Sequence, residues 1–261
     1  MKKALGRVED LCDSYLMEHK NDSVSKCYKI LIKADLNECK YYLRAGFFEM
    51  VYNSNYEQAI MYYNDALKYS IVEKEKAISY FYLGQVYQAK SDYTRALYYY
   101  EQPSALIKNM PSERNEFLRS IYVSLGNIYS DKAEYEKALN YFEQALSLQS
   151  ENYCLEDLFI YSGIGGVFTD LKKYDQAMEY YNKALNIFDK SDVKYIAYWI
   201  DLQNSIGLVH YYKGEYIEAL ESLSVAKNVQ LKFMGEKDKA TAGVFNNWDW
   251  FTEAWATIMR Q

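Results

Sequence analysis

Catalysis by this chain would have to draw on two histidines, four cysteines, one glycine cluster and a surplus of carboxylates. An activated nucleophile needs a base within hydrogen-bond reach, and neither His19 nor His210 has a neighbouring serine or cysteine that suggests such a pairing. Zinc is held by cysteines and histidines at short, paired spacings, and Cys12, Cys27, Cys39 and Cys154 show none. Three of the four lie in apolar helical stretches, which predicts buried small thiols. Gly163-Ile164-Gly165-Gly166 could cradle a phosphate only at a strand-to-helix turn; it falls inside a predicted helix and reads as a packing feature. Carboxylates gather in turns such as Asp131 to Glu136, where solvation and helix starts account for them. No phosphate-binding loop, zinc-protease motif or nucleophile elbow occurs, so no catalytic residue, metal or cofactor is expected.

The remaining chemistry is that of recognition, and it rests on a repeated phrase. Tyr80-Phe81-Tyr82-Leu83-Gly84-Gln85-Val86-Tyr87 returns as Tyr122-Val123-Ser124-Leu125-Gly126-Asn127-Ile128-Tyr129, with looser copies around Gly165 and Gly207. The glycines are 42, 39 and 42 residues apart, and Ala96, Ala138, Ala177 and Ala219 keep the same intervals. Within a unit the apolar residues fall at helical spacing on either side of a polar break such as Lys90-Ser91-Asp92, which predicts a helical hairpin. A glycine inside the first helix costs about 1 kcal/mol relative to alanine, so a close approach by the second helix is expected there, with the recurring alanine on the other side of the contact.

These residues resemble the tetratricopeptide repeat family, whose units carry aromatic, Leu-Gly, aromatic, Ala and aromatic positions in that order. Tyr80, Leu83, Gly84, Tyr87, Ala96 and Tyr100 match, as do Tyr122, Leu125, Gly126, Tyr129, Ala138, Phe142 and Ala145. The third copy uses Tyr161, Ile164, Gly165, Phe168, Ala177, Tyr181 and Ala184; the fourth departs, with Gln203 and His210 at aromatic positions and Leu223 for the later aromatic. An earlier copy keeps Tyr56, Ala59, Tyr63 and Ala66, while its first helix, near Gly46-Phe47-Phe48, is a weak match. The resemblance covers roughly residues 38 to 232. It implies an all-α, right-handed α-solenoid of stacked helix-turn-helix hairpins with atypical capping helices. The intervals exceed the 34 residues of the standard unit, as in the long units of kinesin light chains and of the Rap-type peptide-responsive regulators, which Phe47-Phe48, Tyr56 and Ala59-Ile60 also resemble.

In this family the concave wall is lined by first-helix positions at −6, −3, +1, +4 and +5 from the glycine, offsets that share one helix face. They select Ile78, Phe81, Gln85, Gln88 and Ala89, then Ser120, Val123, Asn127, Ser130 and Asp131. In the later units they select Phe159, Ser162, Gly166, Thr169 and Asp170, then Asp201, Asn204, Leu208, Tyr211 and Tyr212. None is Lys or Arg, unlike the domains of this family that grip the acidic C-terminus of heat-shock chaperones. Asn127 matches the asparagine by which peptide-binding relatives hold a ligand backbone. The groove residues expected to act are Phe81, Gln85, Gln88, Asn127, Asp131, Thr169, Asp170, Asn204, Tyr211 and Tyr212, amides for a ligand backbone and acids for basic side chains. The expected partner is a protein or peptide of neutral to basic character. The Rap likeness implies an alternative, a peptide-sensing regulator whose N-terminal helices act on a response regulator.

Bulk properties agree with a helical binding module. Half the residues are hydrophobic, with only two prolines and 11 glycines, a breaker-poor composition suited to nearly all-helical structure. A net charge of −6 and a pI near 5.2 lack the basic footprint of a nucleic-acid binder. The first residues show no uninterrupted apolar stretch, so neither a signal peptide nor a membrane span is expected and the cytoplasm is the expected location. Most of the 30 tyrosines occupy helical packing positions.

The organisation expected is capping helices over 1–36, about five hairpins over 37–232 and a tryptophan-rich helix over 233–261. Leu5, Val8, Leu11, Cys12, Tyr15 and Leu16 form one apolar stripe of the N-terminal cap, and Val24, Cys27, Tyr28, Leu31 and Ile32 the other. Pro103 replaces the small residue that Ala145 and Ala184 supply elsewhere, so that second helix should kink or stop there; Pro111 then suits the first turn of the next helix. Phe245, Trp248, Trp250, Phe251 and Trp255 read either as a lid sealing the last hairpin or as a contact for a partner or for self-association.

Overall fold

The structure is a computed structural model that describes residues 2–18, 20–107, 114–148, 155–188 and 196–234. His19, Pro111, Cys154 and the tryptophan-rich tail lie outside the described residues. The rest is helical, with no strand among the described residues: α1 (Lys2–Met17), α2 (Asn21–Ala34), α3 (Cys39–Val51), α4 (Tyr56–Tyr69), α5 (Glu73–Ala89), α6 (Tyr93–Glu101), α7 (Pro103–Leu106), α8 (Arg114–Asp131), α9 (Tyr135–Ser147), α10 (Leu155–Asp170), α11 (Tyr174–Ile187), α12 (Ile196–Lys213) and α13 (Tyr216–Met234). Packing divides the chain into two compact units, Met1–Ile128 and Tyr129–Gln261. In the first, α1 pairs with α2, α3 with α4 and α5 with α6, while α2 leans on α3 and α4 on α5. In the second, α10 pairs with α11 and α12 with α13, and α9 and α11 each pack on the helix that follows. This is the stacked-hairpin, all-α solenoid architecture that the repeat implies.

The hairpin turns share one device. After α5, the backbone N–H of Ser91 donates to the Gln88 carbonyl and that of Asp92 to the Tyr87 carbonyl, the paired bonds of a Schellman ending. The same pair recurs at Ala133 and Glu134, at Lys172 and Lys173, and at Gly214 and Glu215. It requires a left-handed residue, and Ser91, Ala133 and Lys172 take φ of 57°, 57° and 59° there, while only the fourth turn uses glycine, Gly214, at 81°. The next helix then starts at once; the Asp92 carboxylate accepts from the Arg95 N–H at 3.2 Å. Pro103 interrupts its unit as its position predicts: α6 ends at Glu101 and a short α7 opens with the proline.

Gly46, Gly84, Gly165 and Gly207 face the second helix, as their cost demands, but the nearest group is a side chain one turn beyond the recurring alanine; at Gly207 the Ala219 carbonyl also comes close, 3.4 Å from a built Cβ. A Cβ built on Gly84 would come within 2.6 Å of the Tyr100 ring, one on Gly165 within 2.6 Å of Tyr181 and one on Gly46 within 2.6 Å of Tyr63. On Gly207 it would meet Leu223 at 2.8 Å. Each partner stands four residues after the alanine, one helical turn along the same face. The alanines are fully buried and let the helices close far enough for the ring to reach bare backbone.

The ring hydroxyls then tie a hairpin to its successor. Tyr100 donates to the Gln88 side-chain oxygen at 2.8 Å and meets the Ser124 hydroxyl of α8. Tyr181 lies 3.3 Å from the Thr169 hydroxyl and meets Ser205 of α12. Gln88 and Thr169 stand four residues after their glycines; Ser124 and Ser205 stand two before the next ones. Where these two slots are not polar the pattern changes. Phe142 has no hydroxyl, and the slot it faces is Gly163, whose Cβ would fall 2.5 Å from the ring; the packing reading of that glycine cluster holds. Tyr63 has Met50 and Tyr82 in the slots and stacks on Tyr82 at 5.2 Å, so its buried hydroxyl has no hydrogen-bond partner. Burial pushes its ionisation far above the usual tyrosine range.

Other tyrosines form a stacked pair per hairpin: Tyr87 on Tyr99, Tyr129 on Tyr141 and Phe168 on Tyr180, with ring centroids 5.3, 5.3 and 5.5 Å apart. Basic side chains cover their edges, Arg95 over Tyr87 and Lys137 over Tyr129 among them. In the last unit His210 replaces the first ring of the pair; half-buried, its Nδ1 lies 2.6 Å from Glu215. Cys12, Cys27 and Cys39 are buried free thiols. Leu11 departs from its stripe and stays 44% exposed.

Substituting Gly84→Ala should lower stability by about 1–2 kcal/mol, because the overpacking cost exceeds the gain in helix propensity. Gly6→Ala in α1, where an added Cβ meets nothing within 4 Å, should instead raise it by up to about 1 kcal/mol; urea unfolding of both variants decides. The same measurement should separate two chemically identical changes. Tyr100→Phe should cost about 1 kcal/mol, since it strips partners from buried polar groups, whereas Tyr63→Phe should be neutral or stabilising, since it removes a hydroxyl that is buried without compensation.

Candidate functional site: the first-helix face

The glycine-to-ring contact fixes the rotation of each first helix, and with it the residues that point away from the second helix. In the first unit this face presents Gln85 half-buried and Asn127 exposed. Phe81 is half-buried, its ring 5.7 Å from Tyr100 and 5.5 Å from Phe117, so part of its surface is committed to packing. Gln88 is also half-buried; its oxygen is taken by Tyr100, which orients the amide and leaves the NH2 for a ligand carbonyl.

In the second unit the face is acidic. Asp131 and Asp170 are exposed, and the Asp170 carboxyl titrates above the usual aspartate range, first because its surroundings strip water from it and second because Asp131 adds like charge. Asp201, at the −6 position of the last unit, is raised by desolvation. Among the described residues no cation pairs with Asp170 or Asp201. Thr169 donates to the Gly165 carbonyl at 2.9 Å while touching Tyr181. Tyr211 and Tyr212 meet at 5.8 Å, nearly edge to face; Tyr212 is half exposed and stacks on Tyr174 at 5.7 Å.

Two neighbouring positions on this face hold polar atoms in an unusual state. Ser162 and Asn204 both stand three residues before their glycines, and the Ser162 Oγ and Asn204 Oδ1 are buried with no hydrogen-bond partner. Buried polar groups are nearly always paired, so two orphans at equivalent positions of successive units mark a surface whose hydrogen bonding is incomplete. Among the described residues no group of three or more His, Cys, Asp or Glu could hold a metal ion.

Taking Gly46 as a further register point reveals face positions that the weak first-helix match in the sequence left unassigned. Lys40, Leu43, Phe47 and Val51 occupy −6, −3, +1 and +5 of that unit. The obscuring feature is a link one residue longer: Gly46 and Ala59 are 13 apart, against 12 in the other units, and the turn-closing bond runs from the Asn55 N–H back six residues to Glu49 rather than five. The 37-residue intervals from Ala59 to Ala96 and from Tyr63 to Tyr100 are the signal that fixes the second helix of this unit.

Residues 51–103 and 117–190 each match a sequence profile of the Tetratricopeptide repeat. Among curated proteins, none matches by sequence. Solved structures share the fold at low identity. A chain of the APC/C hetero-tetramer Cut9–Hcn1 aligns over 90% of this chain and 41% of its own, at 17% identity and a TM-score of 0.65. BtubC (BKLC) from P. vanneervenii aligns over 90% of this chain and 94% of its own, at 17% identity and 0.59. MamA from Desulfovibrio magneticus RS-1 aligns over 70% and 94%, at 16% and 0.51. The chain thus spans less than half of the Cut9–Hcn1 chain it resembles. No described helix is long and apolar enough to cross a membrane. Profile matches that fall on the stacked hairpins, among them those with Tyr100 on Gly84 and Tyr181 on Gly165, identify residues 51–103 and 117–190 as tetratricopeptide repeats.

Proposed function

We propose that the chain is a non-enzymatic protein–protein interaction scaffold, working in the cytoplasm, whose first-helix face binds an extended peptide or partner helix of neutral to basic character. The observation that carries this reading is the unbalanced polar chemistry of the second unit's face: two orphaned buried atoms at Ser162 and Asn204, beside carboxylates of Asp170 and Asp201 that no described cation pairs. Both side chains are only part-buried as a whole, and on rotating outward their oxygens would accept from a ligand N–H or hydroxyl. A lysine or arginine side chain would restore the ionised form that desolvation disfavours in the aspartates. In the first unit, the exposed Asn127 and the oriented Gln88 amide suit the alternating donors and acceptors of an extended backbone. Acidic ligands would meet like charge along the second unit's face, which selects against them.

The reading is tested with a panel of ten-residue peptides graded from acidic to basic, titrated by fluorescence polarisation. Neutral to basic peptides should bind and acidic ones should not. Asn127→Ala should weaken binding about tenfold or more with an unchanged melting temperature, since the side chain is exposed; equal affinity would remove the face from consideration. Asp170→Asn with Asp201→Asn should abolish the preference for basic peptides.

Acidity gives a second handle. Both aspartates titrate above their ordinary value of 3.8, so on lowering the pH from neutrality they take up protons earlier than free aspartate. Affinity for a basic peptide should therefore fall through that window. The effect of these two groups on folding has the opposite sign: a carboxyl with a raised folded-state pKa favours the fold when protonated and loses that contribution as pH rises through the folded value. Parallel binding and melting curves should diverge accordingly.

A further inference from the structure

The face of the α3 unit carries a base, Lys40, which the face positions of the later units lack. Where the later units present amides and acids, a cavity of about 420 Å³ opens in the first unit, a volume typical of ligand sites. Its walls include Leu43, Phe47, Tyr52 and Tyr82, with Lys40 and Arg44 also lining it. Phe47 and Tyr52 remain 40% and 43% exposed. The Phe47 ring is propped edge-on against Tyr82 at 6.1 Å, and the Arg44 guanidinium lies 5.8 Å over the Tyr28 ring while paired with Asp13. These are pre-positioned groups around an apolar space left open to water, the signature of a docking surface.

We propose that this cavity receives the tryptophan-rich C-terminal segment of a second copy of the chain. Beyond Met234 the sequence runs on to Gln261, and in it Phe245, Trp248, Phe251, Trp255 and Ile258 recur at spacings of three and four, the apolar stripe of an amphipathic segment. Asp249 and Glu253 lie four residues apart in the same stretch, and Lys40 and Arg44 lie four apart on α3. Aromatic anchors meet an aromatic-walled cavity, and the two acids approach a rim where Lys40 and Arg44 pair with Glu9 and Asp13, so that they would share bases already in place. Donor and acceptor are unlike surfaces, so the contact between copies is heterologous, able to close into a ring or continue as a chain. This interaction is independent of the acidic face of the second unit.

Sedimentation velocity of the full chain across a wide concentration range tests it. Wild type should self-associate. Phe47→Glu, or the milder Phe47→Ser, should weaken association at least about tenfold, and so should Trp248→Ser combined with Trp255→Ser, with circular dichroism showing all of them folded. An equimolar mixture of the Phe47→Glu and the double tryptophan variants should form a one-to-one heterodimer and nothing larger, because each brings one intact surface. A monomeric wild type would overturn the proposal, as would a mixture that fails to associate, or association lost in the tail variant but kept in both Phe47 variants. A monomeric wild type whose tryptophan emission shifts to the red on Phe47→Glu would mean that the segment binds within its own chain, which equally overturns docking by a second copy. Binding of basic peptides should survive the double tryptophan substitution, which lies off the first-helix face, so failure of this proposal and failure of the groove reading are separately visible.

Discussion

The structure depends on an aromatic ring, or in the last unit a leucine, lying directly on the bare backbone of a glycine in the preceding helix. A glycine within a helix is unfavourable by itself, and its recurrence through the array is explained only by what it admits. With Tyr100 on Gly84, Tyr181 on Gly165 and Tyr63 on Gly46, two helices approach more closely than any side chain at the glycine would allow. That approach fixes the rotation of the first helix about its axis. Everything said about its outer face follows from that rotation, because a turn of the helix would exchange groove residues for core.

The tyrosine hydroxyls extend this constraint from one hairpin to the next. A phenylalanine would fill the same space, as Phe142 does, but it could not bond to both its own unit and the following one. Where tyrosine is used with polar slots, at Tyr100 and Tyr181, packing and recognition become coupled: Gln88 and Thr169 belong to the outer face, yet each is held by a core hydroxyl. The groove is therefore supported from behind by groups whose geometry is set by buried contacts, the arrangement that makes a binding surface rigid.

Much of this was legible in the residues. The in-phase glycines and alanines gave the hairpins, the order of the helices and the break at Pro103, because helical periodicity and breakers act locally. The nearest partner of the glycine is less legible than the alanine that shares its phase: sequence spacing shows that two positions repeat together but not which side chain reaches across, and Ala96 and Tyr100 are equally in phase. The α3 unit was obscured by a single extra residue in its link, which displaces one marker against the other while leaving the packing unchanged. The orphaned atoms of Ser162 and Asn204 could not have been foreseen, since whether a polar side chain finds a partner depends on neighbours contributed by another helix. The acidity of the second unit's face was visible in Asp131, Asp170 and Asp201; its elevated titration was not, since that depends on how much water the fold removes.

In arrays whose hairpins touch mainly their neighbours, stability is a sum of intrinsic terms and seams, and the seams need not be equal. Between the α3–α4 hairpin and α5 the connecting hydroxyl, that of Tyr63, is buried against Met50 and Tyr82 and bonded to nothing, whereas the following seam is stitched at both ends by Gln88 and Ser124. The core of this seam is thus closed by shape and ring stacking, and its polar ties, such as Lys90 to Glu57, sit at the rim. Its hold on the neighbouring hairpin is therefore less exacting than at the Tyr100 seam, where a core bond fixes the register, and this places a line of lesser constraint beside the cavity of the α3 unit.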